Sequence, residues 1–136
     1  MSESGYGSAA RARAVVGRVF EEVWNAGLTE VLGEVLSADF VGHGADGETF
    51  DAAMLGERVR ARRQALRDLH YDVLRYVVET PWVATMWAGA GRSATNHDRS
   101  VEPLRLCGLT LWRLDGELIG EAWVLGFEGL RGWSTS

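Results

Sequence analysis

The sequence contains few of the elements that anchor or cross-link exported proteins. Its 136 residues include a single cysteine, Cys107, and two prolines. One cysteine excludes an intrachain disulfide framework and leaves no partner thiolate with which to build a cysteine-based metal site. A reducing, cytoplasmic setting is therefore expected.

The chain also lacks any apolar run near the roughly 20 residues that a membrane-spanning helix requires. Its first residues, MSESGYGS, do not combine a basic region with an apolar core, so they do not predict an export signal. We expect a soluble protein with no membrane partner.

Lysine is absent, and all 14 positions of the Lys-plus-Arg count are arginine. The 19 acidic residues outnumber them, and the formal net charge is −5 at pH 7. Nucleic-acid binding usually requires a basic excess on one face. The densest basic stretch, residues 58–67, spreads its arginines around a predicted helix, which favours a solvated helix over a binding patch. Nucleic acid is not an expected partner.

Tryptophan, by contrast, is abundant, with six residues in a short chain. Large flat side chains supply either a thick core or the wall of a pocket for a ring-containing ligand. The hydrophobic fraction of 46% is ample for one core without disulfides. Residues 1–9 are small and polar and are predicted to form a disordered arm, which leaves residues 10–136 as a single domain.

The segment from Val15 to His43 predicts two helices and a strand. Apolar residues recur at steps of three and four from Ala12 to Val23, with charged residues on the opposite arc, which is typical of an amphipathic helix. Asn25-Ala26-Gly27 is typical of a helix C terminus, and Thr29 is placed to cap a second, shorter helix. Residues 39–43 are predicted to form the first strand.

A third helix is predicted over residues 50–66, before the main sheet. From Leu69 the pattern alternates, and both faces of this strand carry apolar groups. Such a strand fits a sheet covered by helices on one side and by a partner subunit on the other. Three further strands are predicted at residues 82–89, 104–114 and 117–127, with a loop at 89–100 and an Asp115-Gly116 turn in the last hairpin.

These features together resemble the SnoaL-like polyketide cyclases, a branch of the nuclear transport factor 2-like superfamily. The helix–helix–strand unit is followed, in the family's order, by Arg67-Asp68-Leu69-His70 at a strand start, by Gly108–Ile119 with its Asp-Gly hairpin, and by Glu121-Ala122-Trp123. The resemblance spans roughly residues 10–128. It implies an α+β fold in which a cone-shaped, curved, antiparallel-rich mixed sheet carries three N-terminal helices on its concave face.

The resemblance also implies chemistry on ionisable side chains, because enzymes of this fold generally work without metal or nucleotide. The sequence contains no nucleotide-binding glycine motif and no His-x-x-x-His pair, so no metal or other cofactor is expected. His43 ends the first strand, where related families place a general base, and histidine is the residue type best suited to proton transfer near neutral pH. The alternative is a histidine that only satisfies a backbone carbonyl.

The sequence departs from the family after Trp123. The family carries an acid/base Asp close after this tryptophan, whereas residues 124–127 here are Val-Leu-Gly-Phe. Glu121 is the nearest carboxylate. If its face lines the cone, burial would raise its pKa and suit it to act as a general acid; on the outer face it would pair with an arginine. His97, in the predicted loop, is either a third acid/base candidate at the mouth of the cone or a solvated loop residue.

The candidates for substrate binding are large or amide side chains that the fold would direct toward the cone, although each also suits an ordinary core position. They are Trp24, Asn25, Tyr71, Trp87, Trp112 and Trp123.

Two functions follow from the resemblance. The first is a cofactor-independent cyclase or isomerase of secondary metabolism that acts on an apolar polyketide-like substrate by acid/base catalysis and confinement, with epoxide opening or hydrolysis as further outcomes. In it, His43 removes a proton and Glu121 or His97 donates one. The second is a catalytically silent protein that binds a small apolar ligand or a protein partner, which the missing Asp favours. Either is expected as a homodimer through the sheet.

Overall fold

The computed structural model describes residues 5–95, 98 and 102–128. Helix α1 continues into a π-helical segment, a 3₁₀ turn precedes the short helix α2, and α3 lies between the second and third strands. The helical elements are α1 Gly5–Arg18, the π-helical segment Val19–Asn25, the 3₁₀ turn Thr29–Val31, α2 Leu32–Val35 and α3 Ala52–Ala65. The strands are β1 Leu36–Gly44, β2 Thr49–Phe50, β3 Leu66–Glu79, β4 Trp82–Ser93, β5 Leu104–Asp115 and β6 Leu118–Glu128.

The six strands form one open sheet in the order β2-β1-β6-β5-β4-β3. β1 and β6 pair in parallel, and every other neighbouring pair is antiparallel. The predicted α+β fold with an antiparallel-rich mixed sheet and three helices is confirmed. None of the helices in the described part of the chain is long and apolar enough to span a membrane.

The first helix packs on the sheet through the apolar stripe that the sequence predicts. Val16 and Val23 are fully buried, and Phe20 meets Trp112 of β5 edge-to-face at a centroid distance of 5.9 Å. α1 begins at Gly5, so residues 5–9, expected in a disordered arm, are helical; residues 1–4 lie outside the described part of the chain.

The second helix is shorter than its pattern suggests, and Thr29 does not cap it. Leu28 occupies the position before the 3₁₀ turn, without a side-chain cap, and the Thr29 hydroxyl instead accepts a hydrogen bond from Arg60 at 3.1 Å. Leu36, the apolar residue directly after α2, is buried and already pairs with Ile119 of β6. The parallel partner strand therefore ends the helix early.

β4 extends to Ser93, beyond the predicted strand end at Gly89. The turn-forming composition of residues 89–91 is misleading, because the small residues serve close packing. A Cβ on Gly89 would lie 2.7 Å from the Tyr71 ring, and one on Gly91 would lie 3.0 Å from Leu66. Glycine here lets side chains of β3 lie across the neighbouring strand. The Asp115-Gly116 hairpin is confirmed, with Gly116 at φ 66°.

Asn25 joins the end of the π-helical segment to β3. Its Nδ2 donates to the carbonyl of Tyr71 at 2.9 Å, and its Oδ1 accepts from the Tyr71 amide at 2.8 Å. Arg63 of α3 donates to the carbonyls of Trp24 and Asn25 at 2.9 and 2.8 Å. The helix end therefore has partners for carbonyls that helix geometry leaves open.

We expect Asn25→Ala to lower the free energy of unfolding by about 1–3 kcal/mol, because two partly buried backbone groups of Tyr71 lose their partner. Urea denaturation measures the change. Asn25→Asp keeps the acceptor, so its free energy of unfolding should lie between those of wild type and Asn25→Ala. The exposed Gln64→Ala on α3 is the control, and an effect of Asn25→Ala no larger than that of Gln64→Ala would contradict the assignment.

Candidate functional site

A cavity of about 890 Å³, partly open to solvent, lies between the helical layer and the inner face of the sheet. This volume lies within the range of small-molecule sites, roughly 300–1,000 Å³. Its wall is predominantly aromatic, and the π-helical segment, α3 and all six strands contribute residues to the lining or its rim. The aromatic lining residues are Phe20, Trp24, Phe40, Phe50, Tyr71, Trp87, Trp112 and Phe127.

Ring contacts hold this wall in a fixed arrangement. Tyr71 packs against Trp24 at 5.2 Å and edge-to-face against Trp87 at 5.6 Å, so one tyrosine links the π-helical segment to β4. Tilted and edge-to-face aromatic pairs are favourable beyond the area they bury. The wall is therefore preorganised around an open volume.

The polar edges of the tryptophans are satisfied within the sheet. Trp87 Nε1 donates to the Thr110 hydroxyl at 3.0 Å, and Trp112 Nε1 donates to the Thr85 hydroxyl at 3.0 Å. Thr85 in turn donates to the Thr110 carbonyl at 3.3 Å, and both threonines are buried. Because these N–H groups bond to the sheet, the indoles present carbon surfaces to the cavity.

Charged side chains lie at the rim of the cavity, where the lining is exposed. Glu48 Oε1 lies 3.0 Å from Arg58 Nη2, and the Arg58 guanidinium stacks 4.4 Å above the Phe50 ring. Asp46 Oδ1 accepts the Glu48 backbone N–H at 3.0 Å. Arg62 completes the charged set.

Sequence reasoning missed this rim. It assigned no role to residues 44–49, although they directly follow the strand end at which catalytic groups were sought. The position of this loop in the sequence was the available signal, because a loop that follows β1 must lie at the end of the sheet where β1 ends, beside His43. No local pattern in the sequence predicts that Glu48 pairs with Arg58 of α3.

His43 and Glu121 come together, but on the face of the sheet opposite the cavity. Ala122 and Val124 line the cavity, so strand alternation directs Glu121 to the outer face. Gly44 likewise lines the cavity, and His43 beside it points outward. The structure thus decides which face of β6 points inward, which the sequence left open.

The outer-face cluster comprises His43, Glu121, Arg113, Trp123 and Trp82. His43 Nε2 donates to Glu121 Oε2 at 2.6 Å, since an ionised carboxylate only accepts, and Arg113 Nε donates to Glu121 Oε1 at 3.4 Å. The His43 ring stacks on Trp123 at 5.2 Å, and Trp123 contacts Trp82 at 6.0 Å.

The pKa of Glu121 is lowered, whereas a carboxylate lining the cone was expected to have a raised pKa. The hydrogen bond from His43 is the main cause, partial burial opposes it, and the hydrogen bond from Arg113 lowers the pKa further. Glu121 is therefore ionised at neutral pH and paired with an arginine, the second of the two arrangements weighed from the sequence.

The remaining predicted site residues divide between the wall and other places. Asn25 forms hydrogen bonds with the Tyr71 backbone, Trp123 lies on the outer face, and His97 lies outside the described residues. The roles assigned to all of them in binding or catalysis stay predictions. The predicted substrate-binding residues that line the cavity wall are Trp24, Tyr71, Trp87 and Trp112.

Glu121→Gln should change how stability depends on pH. Because the folded-state pKa of Glu121 is lowered, its contribution is present at neutral pH and is lost as pH falls below about 4.3, the ordinary value, and through the folded-state pKa. We expect the gap in unfolding free energy between wild type and variant to be largest near neutral pH and to shrink in acid. Urea unfolding across this pH range measures it. The exposed Glu57→Gln is the control, and a gap independent of pH would contradict the prediction.

Solved structures share this fold at low sequence identity. A protein from Jannaschia sp. CCS1 assigned as a SnoaL-like polyketide cyclase is 17% identical, with a TM-score of 0.73 over 95% of this chain and 91% of that one. Wild-type IdmH from Streptomyces antibioticus, assigned as a polyketide cyclase, is 20% identical, with a TM-score of 0.71 over 87% and 91%. An LEH-like epoxide hydrolase of M. tuberculosis is 12% identical, with a TM-score of 0.69 over 88% of this chain and 85% of that one. At these identities the likeness concerns the fold.

The family comparison is more specific. No curated protein matches the chain. The family model of the SnoaL-like polyketide cyclases matches residues 14–126, which include the rim, the outer-face cluster and every lining residue of the cavity except Phe127. The chain is a member of the SnoaL-like polyketide cyclase family.

Proposed function

We propose that the protein is a cofactor-independent cyclase that binds an apolar, polyketide-like substrate in the aromatic cavity and promotes its ring closure. The observation that carries this proposal is the enclosed wall of eight aromatic side chains in a member of a cyclase family. Such a wall suits a substrate that contains rings or forms them.

Confinement accounts for a large part of the proposed catalysis. A flexible chain loses conformational entropy when its ends meet, and a rigid enclosure imposes that loss during binding. The aromatic contacts of Tyr71 and the buried bonds of Trp87 and Trp112 keep the wall from adjusting to an extended substrate. A folded substrate conformation is selected in this way.

The distribution of polarity suggests how the substrate lies. The deep wall is apolar, whereas Asp46, Glu48, Arg58 and Arg62 lie at the rim. An apolar body would occupy the depth of the cavity and a carbonyl-bearing end would face the rim.

A second candidate is a binding protein without catalytic activity. Val124 and Gly126 line the cavity in the segment where the family carries its acid/base Asp, and neither can transfer a proton. This candidate shares the ligand class with the first, and turnover of a bound ligand separates the two.

Filling the cavity should weaken ligand binding. Val124→Trp places an indole in the enclosed volume, and we expect it to weaken binding of the bicyclic ketone 2-tetralone by about tenfold or more, equivalent to about 1.4 kcal/mol, in isothermal titration. Leu118→Trp adds the same ring to the same strand at an exposed position outside the lining and should bind as wild type does. Equal affinities for both variants would count against the cavity as the ligand site.

We further propose that the protein forms a homodimer through the outer face of the sheet. Cross-strand partners there form a continuous row over five strands: Val77, Ala84, Leu111, Trp123 and His43. The exposed fraction of Val77 is 60%, and Leu109, Leu111, Leu125 and Trp82 are also exposed. An exposed apolar patch of this extent is typical of a protein interface.

A second copy fits this face because the face carries both signs of charge around its apolar centre. On one side of the row, the next line of cross-strand partners consists of Glu79, Trp82, Arg113 and Glu121. Arg75 lies on the other side of the row. Two copies related by a twofold axis can pair these charges while the apolar row is buried.

Leu111→Asp should disrupt the homodimer, since it places a carboxylate in the centre of the apolar row. Sedimentation velocity should give twice the chain mass for wild type and the chain mass for the variant. Leu28→Asp, at an exposed leucine before α2, should sediment as wild type. A monomeric wild type at micromolar concentration would exclude this interface.

A further inference from the structure

The cavity as described lacks the group that a proton-transfer reaction needs at the place where the family carries it. Val124 and Gly126 occupy that segment of β6, and the His43–Glu121 pair lies behind the sheet. Among the described lining residues, the carboxylates are Asp46 and Glu48, both in the short loop between β1 and β2. The chemistry of the cavity therefore has to be sought at its rim.

We propose that Glu48 and Arg58 form the proton-transfer pair of this cavity. Glu48 removes a proton from a carbon next to a ketone, and Arg58 holds the oxygen on which negative charge develops. The proposal rests on the cyclase function proposed above and assigns two catalytic residues to it.

Glu48 is held in the cavity lining by its own loop. Its backbone N–H donates to Asp46 Oδ1 at 3.0 Å, and its carbonyl accepts from the Gly44 amide at 2.9 Å. A Cβ at Gly44 would lie 3.0 Å from Glu48 Cγ and 3.1 Å from Asp46 Oδ1. Glycine at the end of β1 thus leaves the space in which both carboxylates reach the rim.

Arg58 is held by two contacts of different kinds. Its guanidinium lies 4.4 Å above the ring of Phe50, a buried residue of β2, and its Nη2 lies 3.0 Å from Glu48. A guanidinium has five N–H donors in a rigid plane, so donors remain for a substrate oxygen after Glu48 is bound. Asp51 caps α3 by accepting from the Met54 amide at 2.8 Å, which fixes the helix that carries Arg58.

The pair provides the two functions that enolate formation requires. The C–H bond next to the ketone breaks, its proton passes to the Glu48 carboxylate, and its electron pair forms the C=C bond of an enolate. The carbonyl oxygen becomes negative beside Arg58, where charge stabilisation is strongest once the substrate has displaced water. The enolate carbon then attacks a second carbonyl of the same chain, and Glu48 returns the proton to the new alkoxide. No other reactant is needed.

Exchange of the α-protons of 2-tetralone for deuterium, followed by proton NMR in D₂O, tests the first step without knowledge of the natural substrate. We expect wild type to accelerate exchange over the buffer rate. Glu48→Gln should lower this acceleration by about 100-fold or more, the usual contribution of a general base. Glu48→Asp should restore part of it, and Arg58→Lys should lower it by about tenfold or more, because the stacked planar donor is lost.

Glu34→Gln is the matched control. Glu34 forms an exposed ion pair with Arg18 at 3.0 Å, like that of Glu48 with Arg58, but outside the cavity lining. This variant should exchange the α-protons of 2-tetralone at the wild-type rate. Glu121→Gln, measured in the same series, reports on the His43–Glu121 pair.

Isothermal titration with 2-tetralone separates the outcomes. The pair is supported if wild type binds 2-tetralone and exchanges its α-protons, and if Glu48→Gln loses the exchange while its affinity for 2-tetralone is unchanged. Unchanged exchange in Glu48→Gln, or a loss confined to Glu121→Gln, overturns it and leaves the cyclase function standing. Wild-type binding without exchange overturns the pair in favour of a silent binding protein. Absence of wild-type binding overturns the proposed ligand class and the pair with it.

Discussion

The alternation of side chains along β6, and its fixed register with β1, is the constraint on which the site depends. Ala122 and Val124 face the cavity, and Glu121 and Trp123 face outward. A shift by one residue would exchange the two sets and bring a carboxylate and an indole into the cavity. The parallel pairing with β1 holds the register, because His43 stacks on Trp123 and donates to Glu121. The outward-facing pair thereby determines which side chains surround the cavity.

The same sheet serves two surfaces of different chemistry. On its inner face, polar groups form hydrogen bonds with one another, since the Thr85 and Thr110 hydroxyls accept the indole N–H groups of Trp112 and Trp87. Its outer face retains charged groups within an apolar surface, with Glu121 between His43 and Arg113. A buried polar network that is fully satisfied confers rigidity without directing reactivity, so the acid/base capacity of the described lining lies at the rim, on the loop between β1 and β2 and on α3.

Much of the fold could be predicted from the sequence, because its signals are local. The helical period of α1, the Asp115-Gly116 turn and the alternation of β3 each follow from neighbouring residues. The inward face of β6 could not be predicted, because both of its faces carry apolar residues: Ala122 and Val124 on one, Trp123 and Leu125 on the other. The Glu48–Arg58 pair was equally inaccessible, since it depends on where α3 crosses the loop. Two of the three predicted catalytic residues, His43 and Glu121, lie in contact, but their position relative to the cavity depends on the pairing of the strands and could not be predicted.

The absence of lysine from the sequence has a chemical consequence at the cavity mouth. A lysine amine condenses with ketones and aldehydes to form imines, and its reactivity rises when burial lowers its pKa. A guanidinium remains protonated and binds a carbonyl oxygen through hydrogen bonds alone. With Arg58 at the rim and no lysine in the chain, a substrate rich in carbonyl groups meets no side-chain amine. In the proposed reaction, an electrophilic chain would therefore lie next to a cation and leave without forming an imine.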